Sequence, residues 1–341
     1  MLKKILFAYP LFKGGTSTEM YKALKRNKEL EIFTLFNNIN DKIYLGNNLL
    51  LERIMFKLKI PFDKYKSNDK LLKYNFKNID ILFIVKGIEI YPWTLKKIKN
   101  KYPNLKIISW SQDDMYAWHN RSLYYTFGIK YYDLIITQKS YNVEELKQLG
   151  AKKVLFQNKA YSIDLHKKYN CDTVFADVLF IGDYEFDRYE KMLYLANNGI
   201  KVDIYGPNWA RKVKKIHKNL IIHGKPLIWK EYSNAISCSK ISLCFLRKAN
   251  RDLQTSRSVE IPACGGFMIA ERTDEHKQLF EENKEAVYFD TKEELLEKVK
   301  YYLENEDERK KIAEAGYERT RNSKYSYDDR VEEMIKVINE I

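Results

Sequence analysis

The chain is poor in the residues from which metal and redox centres are built. Its four cysteines, Cys171, Cys238, Cys244 and Cys264, form no C-x-x-C pair and sit in stretches that read as strand or helix interior, so reduced core thiols are expected. The five histidines lack metal-ligand spacing and no D-x-D triplet occurs; neither a metal nor a cofactor is expected. No segment approaches the ~18 to 20 uninterrupted apolar residues of a membrane span. The opening MLKKILFAYPLFKGG is broken at Lys13 and by glycines without a signal-peptide pattern, and reads as a first strand. A cytoplasmic protein follows as the expectation, at most peripheral at the inner face of the membrane. The glycine loop at Gly14, Gly15 and Thr16 lacks the G-K-[ST] ending, which excludes a P-loop.

Charge and apolar residues are abundant. Sixty Lys and Arg face 46 acidic residues, for a formal charge of +14, and an anionic partner is expected. No RNP, zinc-finger or helix-turn-helix signature accompanies that charge, so nucleic acid is not expected. The basic runs at 96–101 (KKIKNK) and 211–218 (RKVKKIHK) read as solvated helix faces, with anionic membrane as the alternative. A 341-residue chain that is 45% hydrophobic has core material for two domains of ordinary size.

Short apolar runs at 4–9, 79–85, 106–110 and 133–137 alternate with helical stretches, and the rhythm restarts at 177–182, continuing at 201–206, 220–224, 241–246, 267–270 and 286–289. Such alternation implies right-handed βαβ crossovers and two doubly wound parallel sheets. Residues 40–76 fit this rhythm less well and read as a helical insertion, and the polar stretch Asp164–Asp172 as a linker. The expected division is an N-terminal Rossmann-like domain over 1–165, a C-terminal one over 173–322, and a helix over 323–341. The apolar stripe of that last helix should dock on something.

The richest segment is TSRSVEIPACGGFMIAERTDEHKQLF, 255–280. Thr255 and Ser256 suit helix N-caps, and the first turn then offers backbone N–H groups to which Arg257 adds a forked cation, a set that suits a diphosphate. Glu260 is one turn on, where a carboxylate accepts from vicinal ribose hydroxyls. Gly265 and Gly266 would let backbone approach a ligand. Each has a competing reading: Glu260 as a partner for Arg257, the glycines as a helix end. In the other half, 109–119 (SWSQDDMYAWH) combines Asp113, Asp114 and His119 with Trp110, Tyr116 and Trp118. That mix suits a sugar acceptor and a general base, or else a polar loop capping the next helix.

The blocks DVLFIGDYEFDR (177–188), IYGPNW (204–209), RSVEIPACGGFMIAERTDEH and EAVYF resemble the CgeB-like spore-maturation proteins, related to group 1 and group 4 GT-B glycosyltransferases. The resemblance covers most of the second half of the chain and the first half only loosely. It implies a GT-B fold, two Rossmann-like domains facing a cleft with the C-terminal helix returning to the first, and a metal-independent enzyme. That enzyme would move a sugar from a nucleoside diphosphate to a carbohydrate or lipid-linked acceptor in surface glycan synthesis. Glu260 would then grip the ribose. Asp252, eight residues earlier where the family places a glutamate, would face the donor sugar. Arg188, Arg247, Lys248 and Arg251 become candidates for neutralising the leaving diphosphate, and Gly14 and Gly15 for contacting donor or acceptor. Asp113 or Asp114 would be the base of an inverting reaction. The same fold also hosts nucleotide-sugar epimerases and hydrolases, and a basic binding protein with a degenerate donor site is the non-catalytic alternative.

Overall fold

The computed structural model describes residues 2–9, 15–36, 49–214 and 217–341. The chain divides into two compact units, Met1–Asn158 with Tyr327–Ile341, and Lys159–Ser326.

In the first unit, strands β1 (Lys3–Ala8), β2 (Leu30–Thr34), β3 (Ile81–Val85), β4 (Lys106–Ser111), β5 (Leu134–Thr137) and β6 (Val154–Phe156) form one parallel sheet in the order β2-β1-β3-β4-β5-β6. The central strand β3, ILFIV, is buried at every position. Both faces of a parallel sheet are covered, so its strands read as unbroken apolar runs rather than alternating ones. The edge strands β2 and β6 are mostly half-buried. The last helix, Tyr327–Asn339, belongs to this unit, where Val331, Met334, Ile335 and Ile338 are buried and Asp328 takes a bidentate pair from Arg26.

The second unit repeats the plan. Strands β7 (Val178–Ile181), β8 (Val202–Tyr205), β9 (Leu220–Ile222), β10 (Ile241–Cys244), β11 (Met268–Glu271) and β12 (Val287–Phe289) pair in the order β12-β11-β10-β7-β8-β9. Successive residues of β7 serve opposite faces: Val178 and Phe180 join one core, with Met192, Trp209 and Phe245, while Leu179 and Ile181 join the other, with Val259 and Tyr288.

In each sheet the chain first steps outward on one side and then crosses back to the other. The reversal falls between β1 and β3 in the first unit and between β7 and β10 in the second. At such a point the loops leaving the carboxyl ends of the two strands diverge and open a crevice, the standard ligand position in doubly wound sheets.

The cysteine expectation is corrected in part. Cys244 and Cys264 are free and buried, and burial pushes the Cys264 thiol up to about 12. Cys171 and Cys238, however, are disulfide-bonded. Neither lies inside an element: Cys171 is on the exposed strand-free stretch before β7, and Cys238 caps the helix Lys230–Ser237. No helix among the described residues is long and apolar enough to cross a membrane.

Candidate functional site

The crevice between β7 and β10 is built from backbone outward. The chain leaves β7 at Gly182, whose N–H donates to the Tyr205 carbonyl at 2.8 Å and whose carbonyl accepts from Trp209 Nε1 at 2.8 Å. Gly206 has φ +141, and a Cβ there would lie 2.0 Å from the Gly182 oxygen. Only glycine fits a contact that close in that backbone region. The blocks at 177–188 and 204–209 are therefore two halves of one joint, closed by Asn208 Nδ2 donating to Asp183 at 2.9 Å.

Two arginines occupy the other side of β7. Arg188 is buried, at 3% exposure, with Nε and Nη2 donating to the Leu246 carbonyl at 3.2 and 3.1 Å and Nη1 to the Asp183 carbonyl at 3.1 Å. It thus links the chain just past β7 to the chain just past β10. An arginine in the first turn of a helix is ordinarily exposed; the carbonyls at the two strand ends draw this one in instead. Arg257 is half-buried beside Gly182, its guanidinium 5.9 Å from the Phe180 ring that Arg188 also faces at 5.8 Å. Its Nε is buried without a partner. Among the described residues neither arginine forms an ion pair with an acid. Burial, followed by the charge of Arg257, lowers the proton affinity of Arg188. Two like charges in a sheltered crevice are unfavourable until an anion joins them.

Glu260 sits one turn from Arg257 on the helix Arg257–Ala263, and the two do not pair. Its Oε2 accepts from the Tyr232 hydroxyl at 2.7 Å, and its Oε1 lies 3.7 Å from His166 Nε2. His166 Nδ1 accepts the Ser162 N–H at 2.9 Å, which leaves the proton on the nitrogen facing Glu260. Burial first, then Glu260, push the Tyr232 phenol well up. Tyr232 and His166 escaped the sequence reading because they lie on separate segments with no local motif; Gly206 and Trp209 were visible only as part of a quoted block.

Other expected donor residues have different tasks. Thr255 is buried and Ser256, though at the cap position, makes no side-chain cap bond. Ser258 caps in reverse, accepting the Thr255 N–H at 2.9 Å while its hydroxyl meets His276 Nε2 at 2.7 Å. Burial drives His276 down to about 4, so the ring is neutral. Gly265, at φ +73, and Gly266 end the helix, donating to the carbonyls of Pro262 at 2.8 Å and Ile261 at 3.0 Å. Cβ atoms there would meet Lys168 and Ile236 at 2.8 and 2.5 Å, so these glycines accommodate protein rather than ligand. Arg247 pairs with Glu185 at 3.0 Å and Lys248 with Asp187, both exposed. Asp252 accepts from Asn250 at 2.9 Å and closes its own loop, where Arg251 is exposed in a left-handed backbone.

In the first unit, Gly14 lies outside the described residues, and Gly15 heads the helix Thr16–Arg26. Asp114 is fully buried and accepts from the N–H groups of Tyr116 and Ala117 at 3.2 and 3.0 Å and from Asn142 Nδ2 at 2.9 Å. A carboxylate so provided with donors and so closed to solvent is a poor general base; it latches the loop. Asp113 is half-exposed and pairs with Lys86 at 2.7 Å. Trp110 is buried, whereas Trp118 and His119 are exposed.

Residues 188–336 match a family described as glycosyl transferase-like. The matched span begins at Arg188 and contains Arg257 and Glu260. No curated protein matches the sequence. Among solved structures the chain is similar to sucrose-phosphate synthase from Thermosynechococcus elongatus, at 11% identity and a TM-score of 0.66, over 100% of this chain and 99% of that one. It is similar to HepE of Anabaena in complex with UDP-glucose, at 12% identity and a TM-score of 0.63, over 99% and 100%. A putative UDP-N-acetylglucosamine 2-epimerase from Listeria monocytogenes aligns at 13% identity and a TM-score of 0.59, over 100% and 97%. The chain is thus a two-sheet α/β protein of the GT-B fold whose residues 188–336 match a glycosyl transferase-like family.

Proposed function

We propose that this protein transfers a sugar from a nucleoside diphosphate sugar to a carbohydrate or lipid-linked acceptor. The observation that carries the reading is the pair Arg188 and Arg257 over Phe180, neither ion-paired with an acid among the described residues, at the reversal point between β7 and β10. In this reading Arg257 holds the donor's diphosphate, Arg188 holds the floor of the crevice in place and adds its charge, and Glu260, oriented by Tyr232, accepts from the ribose hydroxyls. When the acceptor oxygen bonds to the anomeric carbon, the bond from that carbon to the diphosphate oxygen breaks, its electron pair leaves with the diphosphate, and the acceptor hydroxyl's proton passes to the departing diphosphate. The charge that develops there is what preorganised cations stabilise best. They supply it without a metal, and metal independence belongs to the proposal. So do a CgeB-like subtype, supported by the two blocks that build the glycine joint, and a cytoplasmic place in surface glycan synthesis. HepE was crystallised with UDP-glucose, which makes UDP the first nucleotide to try.

The test is a thermal-shift panel of nucleoside diphosphates and their sugars on the native chain, Arg257→Ala and Glu260→Ala. Selective stabilisation by one nucleotide, lost in both variants, is expected. Stabilisation by none of them overturns the donor site. The similarity to a 2-epimerase gives a second reading of the same crevice, in which donor is consumed with no acceptor present; an acceptor-free product assay separates the two.

A further inference from the structure

The first unit has a reversal point of its own, between β1 and β3, and its backbone there is unusual. Lys86 and Gly87 follow β3 with φ 64 and 75, two successive left-handed residues, a conformation that non-glycine residues adopt only at a cost. Beside them lies a crevice of about 280 Å³ lined by Tyr9, Tyr65, Lys64, Lys86 and Glu89. A second hollow, of about 540 Å³, runs along the segment around the helix Leu49–Lys57 and is walled by Ile54, Phe56, Pro61 and Phe62. Glu89 and Lys64 line both, so the crevice and the apolar groove adjoin. Together they have the size of a small-molecule site, roughly 300–1,000 Å³.

The charges of this surface select its ligand. In the crevice, Lys64 is neutralised by Glu52 at 3.0 Å and Lys86 by Asp113 at 2.7 Å, while Arg53 and Lys57, which line the groove, are exposed to solvent. The Glu89 carboxyl has no hydrogen bond or ion pair among the described residues, and burial followed by Asp63 raises it to about 7. The crevice therefore seeks hydrogen-bond donors rather than another anion. In the groove, Ile54 is 44% and Phe56 50% exposed, apolar surface that ordinarily finds cover.

We propose that the adjoining crevice and groove hold an amphiphile, with a neutral hydroxylated head at Glu89 and an aliphatic chain along Ile54, Phe56 and Phe62. It is the acceptor if the glycosyltransferase reading holds, and the assignment of acceptor rests on that reading. The binding site itself does not.

Octyl β-D-glucoside, kept below its micelle concentration, is titrated into the full chain by calorimetry. Glucose and an octyl chain ending in ethylene glycol units serve as head-only and tail-only probes. Saturable binding of octyl glucoside is expected, weakened about tenfold by Glu89→Gln and by Phe56→Ser, with both control probes at least about tenfold weaker. Phe56 is exposed, so its replacement spares the fold. Equal binding of the two octyl compounds, or indifference to Glu89→Gln, overturns the proposal. It is also overturned if octyl glucoside does not bind while Phe56→Ser abolishes sedimentation with phosphatidylglycerol vesicles, for the groove is then a membrane contact. Nucleotide thermal shifts on the same variants separate the two readings. If they persist while octyl glucoside fails to bind, only the amphiphile site falls; if nucleotides fail while octyl glucoside binds, only the donor site does.

Discussion

Arg188 and Arg257 face the same ring, yet only Arg188 is anchored, through the carbonyls of Leu246 and Asp183. Arg188→Ala leaves those buried acceptors unsatisfied and is expected to cost about 2–4 kcal/mol in urea unfolding. Arg257→Ala removes a cation that has no acidic partner among the described residues, so stability should stay within about 1 kcal/mol of the native chain while nucleotide binding is lost. Loss of stability in Arg257→Ala comparable to that in Arg188→Ala would show a structural arginine instead. Glu89 gives a pH signature. Its folded-state value of about 7 exceeds the ordinary 4.5, so the native state holds that proton more tightly than the unfolded chain. The stabilisation is complete below about pH 4.5 and is lost as pH rises through 7. Between those two values the loss is at most about 1.4 kcal/mol for each step of one in pH, less whatever solvent screens. Glu89→Gln should flatten that part of the curve, read as melting temperature against pH; unchanged pH dependence would count against the raised value. The spacing of Arg257 and Glu260 was readable because one helical turn joins them. The burial of Arg188 and the contact of Tyr232 with Glu260 were not, since their partners come from chain dozens of residues away.

The glycine joint is the most demanding element. Gly206→Ala would place a methyl 2.0 Å from the Gly182 carbonyl at φ +141, which should cost about 2–4 kcal/mol and displace the loop that Trp209 and Asn208 secure. Unfolding in urea together with nucleotide binding checks this; an unperturbed variant would mean that the joint is loose. Ten of the strands announced themselves as apolar runs because both faces of the sheets are covered. The two that did not, β2 and β6, are half-buried edge strands: β2 carries a glutamate among its apolar residues and β6 is only three residues long. Helix ends misled for a related reason: Thr255 and Ser256 have the chemistry of caps, but Ser258 already fills the role from the next turn. Cys238 sits one residue past the end of the helix Lys230–Ser237, and Cys171 lies in the stretch between β6 and β7 that forms no element, so neither is interior.

At the scale of the molecule, each unit offers a crevice at its own reversal point, with arginines in one and, in the other, a carboxyl without an ion pair among the described residues. The helix Tyr327–Asn339 is part of the first unit and buries Val331, Met334, Ile335 and Ile338. Each such side chain contributes about 1.5–3 kcal/mol, together comparable to the ~5–15 kcal/mol that holds an ordinary domain. A chain truncated after Ser326 should therefore lose the cooperative unfolding of the first unit while the nucleotide-induced thermal shift of the second persists; loss of both transitions would contradict the division.

That membership also sets an order of events during synthesis. The first unit is interrupted after Asn158 and resumes only at Tyr327. Everything the second unit needs has left the ribosome before the first can close the apolar flank beside Thr16–Arg26. Of the two units, the one whose synthesis starts first is the last to finish folding, because its apolar flank stays open until Tyr327–Asn339 has emerged.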